Sequence, residues 1–226
     1  MSVIALVPAH NEADRIAATV TTARSVAQID RVIVIDDASM DGTARIAAEA
    51  GAEVLRLERN RGKGGALQHG LDSVAEDADV IALLDGDLGE TAAEVRVLLA
   101  PVLAGDADMT IATLPKPPGS GGFGLVKGLA RWGIRTLSGF EATAPLSGQR
   151  VLSRDAWVAS TPFATGYGVE VGLTVRAARA GMRLLEVPTT MTHAATGRDV
   201  AGFMHRGRQF VQVAGALARL ALGRRL

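Results

Sequence analysis

The chain has 226 residues, 24 basic against 24 acidic side chains, 48% hydrophobic and 4% aromatic residues, and no cysteine. That composition fits one globular domain able to bury a full core without a staple, and the missing cysteines exclude a disulfide scaffold, a thiolate zinc site and a cysteine nucleophile. Zero net charge and few aromatic rings argue against a nucleic-acid partner, which calls for a basic face or stacking platforms.

No run of about 18 apolar residues occurs, so no transmembrane helix is predicted. Met1-Ser2-Val3-Ile4-Ala5-Leu6-Val7-Pro8 has no basic leader and is broken by proline, so it reads as a buried strand of a cytoplasmic protein, not a signal peptide. Strands are predicted at Val3–Val7, Arg31–Ile35, Glu53–Leu57, Val80–Leu84 and Met109–Thr113, alternating with helices at Glu12–Ala27, Asp41–Ala50, Gly64–Ala75 and Ala92–Leu103. Short apolar runs between Ala-rich amphipathic stretches are the pattern of βα units on a mostly parallel sheet. In such sheets ligands bind beyond the carboxyl ends of the strands, and the first four strands here all end in polar or glycine-rich residues.

After the Pro/Gly-rich stretch 114–122 the pattern changes. A helix is predicted from Leu125 to Leu137, another opens near Gly166-Tyr167-Gly168-Val169-Glu170, two short strands follow at Arg183–Val187 and Thr190–His193, and a last helix runs from Val200 to Leu222. Residues 1–226 read as a single domain, with 1–113 as a nucleotide-binding half, 114–199 as a lid and acceptor half, and 200–226 as a terminal amphipathic helix.

The sharpest feature is Leu84-Asp85-Gly86-Asp87, where an apolar strand closes on two carboxylates one residue apart. Oxygen-seeking cations such as Mg2+ or Mn2+ suit such a pair and leave positions open for substrate phosphates, although Asp-Gly is also a common turn. Strand two ends in Asp36-Asp37-Ala38-Ser39, then Asp41-Gly42-Thr43 at a helix start. Adjacent acids on an extended chain point to opposite sides, so one can meet a ligand while the other braces the loop, and Asp41 reads as a helix cap. The loop Asn60-Arg61-Gly62-Lys63-Gly64 frees backbone amides and brings the Lys63 charge to a phosphate or a base. It is not a Walker A loop, and no Gly-x-Gly-x-x-Gly follows strand one.

Together Pro8-Ala9-His10-Asn11-Glu12, the Asp36–Thr43 run, Asn60–Gly64 and Asp85-Gly86-Asp87 resemble the nucleotide-sugar-binding half of family 2 type glycosyltransferases with the GT-A (nucleotide-diphospho-sugar transferase) fold. The resemblance implies a nucleoside diphosphate sugar donor, with Pro8, Ala9, Asn11, Glu12, Asp37 and Lys63 around the nucleoside. It places Asp85 and Gly86 near ribose and metal, and Asp87 on a divalent cation that bridges the diphosphate.

Further on, Pro162–Leu173 and His193 are similar to glucosyl-3-phosphoglycerate synthases and their mannosyl relatives. That similarity implies that Glu170 holds sugar hydroxyls and that His193 completes the metal shell; the other account of His193 is a strand-end histidine bonded to backbone. Two features differ: the chain is shorter than those synthases, and no Gly-Arg-Val-Thr run lies near Gly121–Gly124. Ser147-Gly148-Gln149-Arg150 instead looks like the Ser-Gly-Phe-Arg segment of polyprenyl-phosphate sugar transferases, which would set Gly148 and Arg150 against an acceptor phosphate. A plain surface arginine is the competing account.

On the terminal helix Phe203, Phe210, Val213, Ala214, Leu217 and Leu220 fall near one face. That stripe packs on the domain, on a partner chain as in a homodimer, or on a bilayer surface that the basic residues would favour. The expected activity is transfer of a hexose, UDP-glucose being the expected donor, to a small phosphorylated or hydroxyl acceptor such as phosphoglycerate. The alternatives are a polyprenyl-phosphate sugar transferase at the membrane face, a nucleotidyltransferase, and a non-catalytic nucleotide-sugar binder. Glu170 and Asp87 are the expected catalytic residues.

Overall fold

The computed structural model describes residues 1–115, 124–192 and 200–223; for 200–206 and 208 it describes the backbone alone. Among them seven strands form one sheet: β1 (Val3–Ala9), β2 (Arg31–Asp36), β3 (Glu53–Arg56), β4 (Val80–Leu83), β5 (Met109–Thr113), β6 (Arg150–Ser153) and β7 (Leu184–Pro188). Their order is β3-β2-β1-β4-β6-β5-β7. All neighbours pair parallel except β6, which runs antiparallel to both β4 and β5.

The helices are α1 (Ile16–Ser25), α2 (Thr43–Glu49), α3 (Gly62–Val74), α4 (Val95–Leu103), α5 (Gly124–Ser138), α6 (Arg154–Ser160), α7 (Val169–Arg179) and α8 (Val200–Ala221). Strand side chains alternate between faces. On β1, Val3, Ala5, Val7 and Ala9 enter one core layer with Ile16 and Val20 of α1 and Leu98 and Leu99 of α4. Ile4 and Leu6 enter the opposite layer with Leu67 and Leu71 of α3, Trp157 of α6 and Leu173 of α7. Burial on both faces is why the central strands read as continuous apolar runs rather than alternating ones. A third cluster joins Val126, Ala130 and Ile134 of α5 to Val171 and Val175 of α7 and Val213, Leu217 and Leu220 of α8.

Three expectations change. Helix α1 starts at Ile16, not Glu12, because residues 12–15 form a turn in which the amides of Arg15 and Ile16 both reach the Glu12 carbonyl. Strand β6 and helix α6 were not predicted. The predicted strand at Thr190–His193 is absent over Thr190–Thr192, where the amides of Thr190 and Thr192 meet the side chains of Glu94 and Thr91 instead of a neighbouring strand. His193 itself lies outside the described residues.

Candidate functional site

The antiparallel run of β6 builds the site. Leu83 at the end of β4 pairs with Arg150 at the start of β6, so residues just before β6 lie beside those just after β4. Gln149 donates Nε2–H to Asp85 Oδ2 at 2.7 Å. The first turns of α3 and α7 supply Lys63 and Glu170, and the Lys63 ammonium sits 2.6 Å from Asp85 Oδ1 and 3.0 Å from Glu170 Oε1. Burial alone would lower the Lys63 pKa, but Asp85 and Glu170 outweigh it and hold the ammonium above the usual lysine range. Gly148 is the floor of this pair: a Cβ there would stand 2.2 Å from Lys63 Nζ and 3.0 Å from Asp85 Oδ2.

The ends of β1 and β2 interlock beside it. The Asn11 amide donates to Ser39 Oγ at 2.9 Å, Asn11 Oδ1 accepts from the Met40 amide at 2.9 Å, and His10 Nδ1 lies 2.8 Å from the Asp37 carbonyl. Asn11 and Ala38 both hold left-handed backbone at φ 58°, a conformation that costs energy outside glycine and that this lacing of the two loops maintains. Asp37 accepts the Arg61 amide at 2.6 Å and the Gly62 amide at 2.8 Å, while Asp36 accepts the Ser39 amide at 3.1 Å and lies 3.4 Å from Arg56 Nε. Both acids of the pair therefore brace loops. Asp41 stands one residue before the cap position Gly42, and its carboxylate takes the first amide of α2, that of Thr43, with the Thr43 hydroxyl and the Ala13 amide, stitching the β1 and β2 exits together.

Asp87 and Glu12 face each other across the β1 and β4 exits. Burial, then the charge of Asp87, with smaller contributions from Asp85 and Asp41, raise the Glu12 pKa above the usual carboxylate range against an opposing effect of Arg15. Gly86 lies between them, and a Cβ there would stand in ordinary contact, 3.4 Å from Ala9 Cβ and 3.5 Å from Glu12 Cγ, so the two exits pack side by side. Buried Thr19 of α1 fixes the turn: its hydroxyl donates to the Gly86 carbonyl at 2.9 Å and accepts from the Gly89 amide at 2.8 Å.

With this geometry in view, the model of the family described as Glycosyl transferase family 2 matches residues 4–144. The chain belongs to glycosyl transferase family 2. Glycosyltransferase AglJ of Haloferax volcanii is 30% identical over 206 residues, 88% of this chain and 65% of that protein. Undecaprenyl-phosphate mannosyltransferase of Micrococcus luteus is 29% identical over 213 residues, 88% of this chain and 87% of that protein. Glucosyl-3-phosphoglycerate synthase of Mycobacterium tuberculosis, solved with Mg2+ and UDP, superimposes with a TM-score of 0.80 at 27% identity, over 97% of this chain and 79% of that one. The same synthase has also been solved with Mn2+, UDP-glucose and phosphoglyceric acid. The chain thus spans just under two thirds of the length of AglJ and most of the mannosyltransferase.

The family 2 match stops at Ala144, so Gly148, Gln149, Arg150 and Glu170 stand on their own geometry. Lys63, expected at the nucleoside, pairs here with Asp85 and with buried Glu170. Arg150 is not a surface arginine. It is fully buried, with Nε donating to the Ser147 carbonyl at 2.9 Å and Nη1 to Thr174 Oγ1 at 2.8 Å, while Nη2 has no hydrogen-bond partner among the described residues. Burial pushes its pKa down to about 10, with Glu170 and Glu186 opposing. Gln149 and Thr19 were missed: Gln149 stood in a quoted segment without a role, and nothing in a mid-helix threonine signals that it anchors a loop 67 residues on.

The donor set fits a hard divalent cation in type. Asp85 and Asp87 supply carboxylate oxygens, and the like charges of Asp85 and Asp87 on half-buried Glu12 are the crowding that a cation relieves. Among the described residues no three His, Asp or Glu side chains converge as a complete metal shell, so the remaining positions fall to substrate oxygens, water or a residue beyond them.

Proposed function

We propose that the chain is a glycosyltransferase that moves a hexose from a nucleoside diphosphate sugar, UDP-glucose first among candidates, to a phosphorylated or hydroxyl acceptor such as phosphoglycerate. The observation that carries this reading is the Lys63 bridge between Asp85 and Glu170 at the strand exits, with Asp87 beside it. It concentrates fixed, partly buried charge where a sugar diphosphate would lie in a family 2 chain. The synthase complexes with UDP-glucose and phosphoglyceric acid support the choice of substrates.

In this reading Pro8, Ala9, Asn11 and Glu12 form the nucleoside wall, and Asp37 acts by holding the Arg61–Gly62 turn. Asp85 and Gly86 face the ribose. Asp87, with His193, would hold Mg2+ or Mn2+, which when bound stabilises the negative charge gathering on the departing diphosphate. Glu170, kept in place by Lys63, accepts hydrogen bonds from sugar hydroxyls and orients the ring. Gly148, whose missing Cβ lets the Lys63 ammonium seat against Asp85, borders the acceptor, and Arg150 acts from within by fixing the Ser147 carbonyl and helix α7.

A second acceptor class, polyprenyl phosphate, is favoured by one observation: the alignment with the undecaprenyl-phosphate mannosyltransferase takes in 87% of that protein. A screen of UDP-glucose and GDP-mannose against phosphoglycerate and polyprenyl phosphate, reading nucleoside diphosphate release with Mn2+, separates these readings. Release that depends on one acceptor supports transfer and names its class. Donor binding in calorimetry without release under any acceptor would make the chain a nucleotide-sugar binder.

A further inference from the structure

The apolar stripe on the last helix packs on the domain: Val213, Leu217 and Leu220 of α8 are buried against α5 and α7. A polar residue of the same helix, Gln212, turns to another element. It is half-buried, and its Oε1 accepts the Tyr167 amide at 2.8 Å, 45 residues back along the chain.

Tyr167 lies in the short 3-10 turn Gly166–Gly168 that leads into α7. The first amides of a helix have no acceptor within it and call for a capping side chain. Thr165 and Gly168 stand at the two cap positions here, and neither supplies a side-chain hydrogen bond. Gln212 therefore caps this start from a different helix.

Glycines let the three elements come this close. A Cβ on Gly166, whose φ is 59°, would stand 2.2 Å from Gln212 Oε1, and one on Gly168 would stand 2.6 Å from Ala216 Cβ of α8. From α3, a Cβ on Gly64 would stand 1.8 Å from the Ala164 carbonyl oxygen and 3.1 Å from the Gly166 nitrogen. The turn thus touches both the start of α3 and the middle of α8. Lys63 directly precedes Gly64 and Glu170 follows Gly168 by two residues, so their 3.0 Å pair joins the very elements that this contact holds in place.

We propose that Gln212 is a positioning residue for Glu170. By accepting the Tyr167 amide it fixes the turn that opens α7, and so sets where Glu170 meets Lys63 and the sugar of the donor. This makes α8 part of the transfer machinery, and it rests on the reading of Glu170 as the residue that holds sugar hydroxyls.

Two substitutions of similar length separate a hydrogen-bond acceptor from a filler of space. Gln212→Glu keeps an oxygen for the Tyr167 amide, and negative charge suits a helix start. Gln212→Met fills the space with only a weak acceptor. Packing alone predicts the opposite order, since a half-buried charge costs more than a thioether. In calorimetry with Mn2+, Gln212→Met should lose about tenfold in UDP-glucose affinity at unchanged UDP affinity, and Gln212→Glu should stay within about threefold of the unmodified chain for both. Hydrogen exchange at the Tyr167 amide reads the cap without any substrate, and should speed up in Gln212→Met but stay slow in Gln212→Glu. Unchanged exchange in Gln212→Met, an equal loss of UDP and UDP-glucose affinity, or a Gln212→Glu chain that fails like the methionine variant would overturn the proposal. Glu170→Ala, titrated beside them, locates a failure. If it loses UDP-glucose affinity while Gln212→Met does not, the role of Gln212 falls alone; if it too binds UDP-glucose normally, the reading of Glu170 falls and takes the proposal with it.

Discussion

Gly148 is the position where one carbon atom tests the site. Its missing Cβ leaves the Lys63 ammonium seated between Asp85 and Glu170, and an alanine would have to displace that ammonium, the far end of a flexible side chain, rather than any backbone. Gly148→Ala should therefore fold with a near-unchanged melting temperature yet lose about a hundredfold in kcat/KM for sugar transfer, the scale of a misplaced catalytic group. Steady-state kinetics beside a thermal melt would check it; a stable variant with full activity would remove Lys63 from the site. The same three side chains show where reading the sequence stops. Lys63, Asp85 and Glu170 are far apart along the chain, and nothing in their spacing says that two helix starts and a strand end meet. Asp85 announced itself through Asp-Gly-Asp, Glu170 through resemblance alone. Arg150 misled, because a charged side chain is read as exposed unless its partners are known, and its partners here are a loop carbonyl and a threonine on another helix.

At the scale of elements, the close approach of α3 to the loop before α7 depends on Gly64. A Cβ there would fall 1.8 Å from the Ala164 carbonyl oxygen, a backbone atom that cannot swing aside. Gly64→Ala should cost about 2 kcal/mol or more by overpacking, measured by denaturant unfolding, and a neutral result would mean that the two elements are not in contact. The sheet edge offers a pH test. Asp108 at the start of β5 accepts from the Arg183 backbone amide at 2.7 Å, from Nε at 3.0 Å and from Nη2 at 2.8 Å, tying β5 to β7. These bonds to Arg183 hold its carboxyl below the usual carboxylate range. A lowered pKa in the folded state means that the stabilisation is complete above the ordinary aspartate pKa and is lost as pH falls through the folded value. Asp108→Asn should cost about 1 kcal/mol at neutral pH, since the pair is partly exposed, and the gap should close in acid. A pH-independent gap would contradict the ion-pair account. The parallel strands were legible in the sequence because both faces of each are covered, which leaves a continuous apolar run. Strand β6 was not, since a four-residue segment that opens on arginine declares itself only once β4 and β5 stand on either side of it.

Over the whole molecule, a balanced composition hides two separated fields. Acids gather at the strand exits, where Glu12, Asp36, Asp37, Asp85 and Asp87 lie, whereas the sequences of α5 and of residues 200–226 carry basic residues and no Asp or Glu. The sheet sets this division, since parallel strands bring their acidic carboxyl ends to one edge while α5 and α8 pack on the outer side of α7. The central claim is that the acidic edge binds a sugar diphosphate together with a divalent cation through Asp87. Its most direct test is calorimetric titration of UDP-glucose into the chain and into Asp87→Ala, with Mn2+ and with a chelator. The account predicts tight binding only for the unmodified chain with Mn2+, weak binding in chelator, and no gain from Mn2+ in the variant. Equal affinity in all four titrations would contradict it.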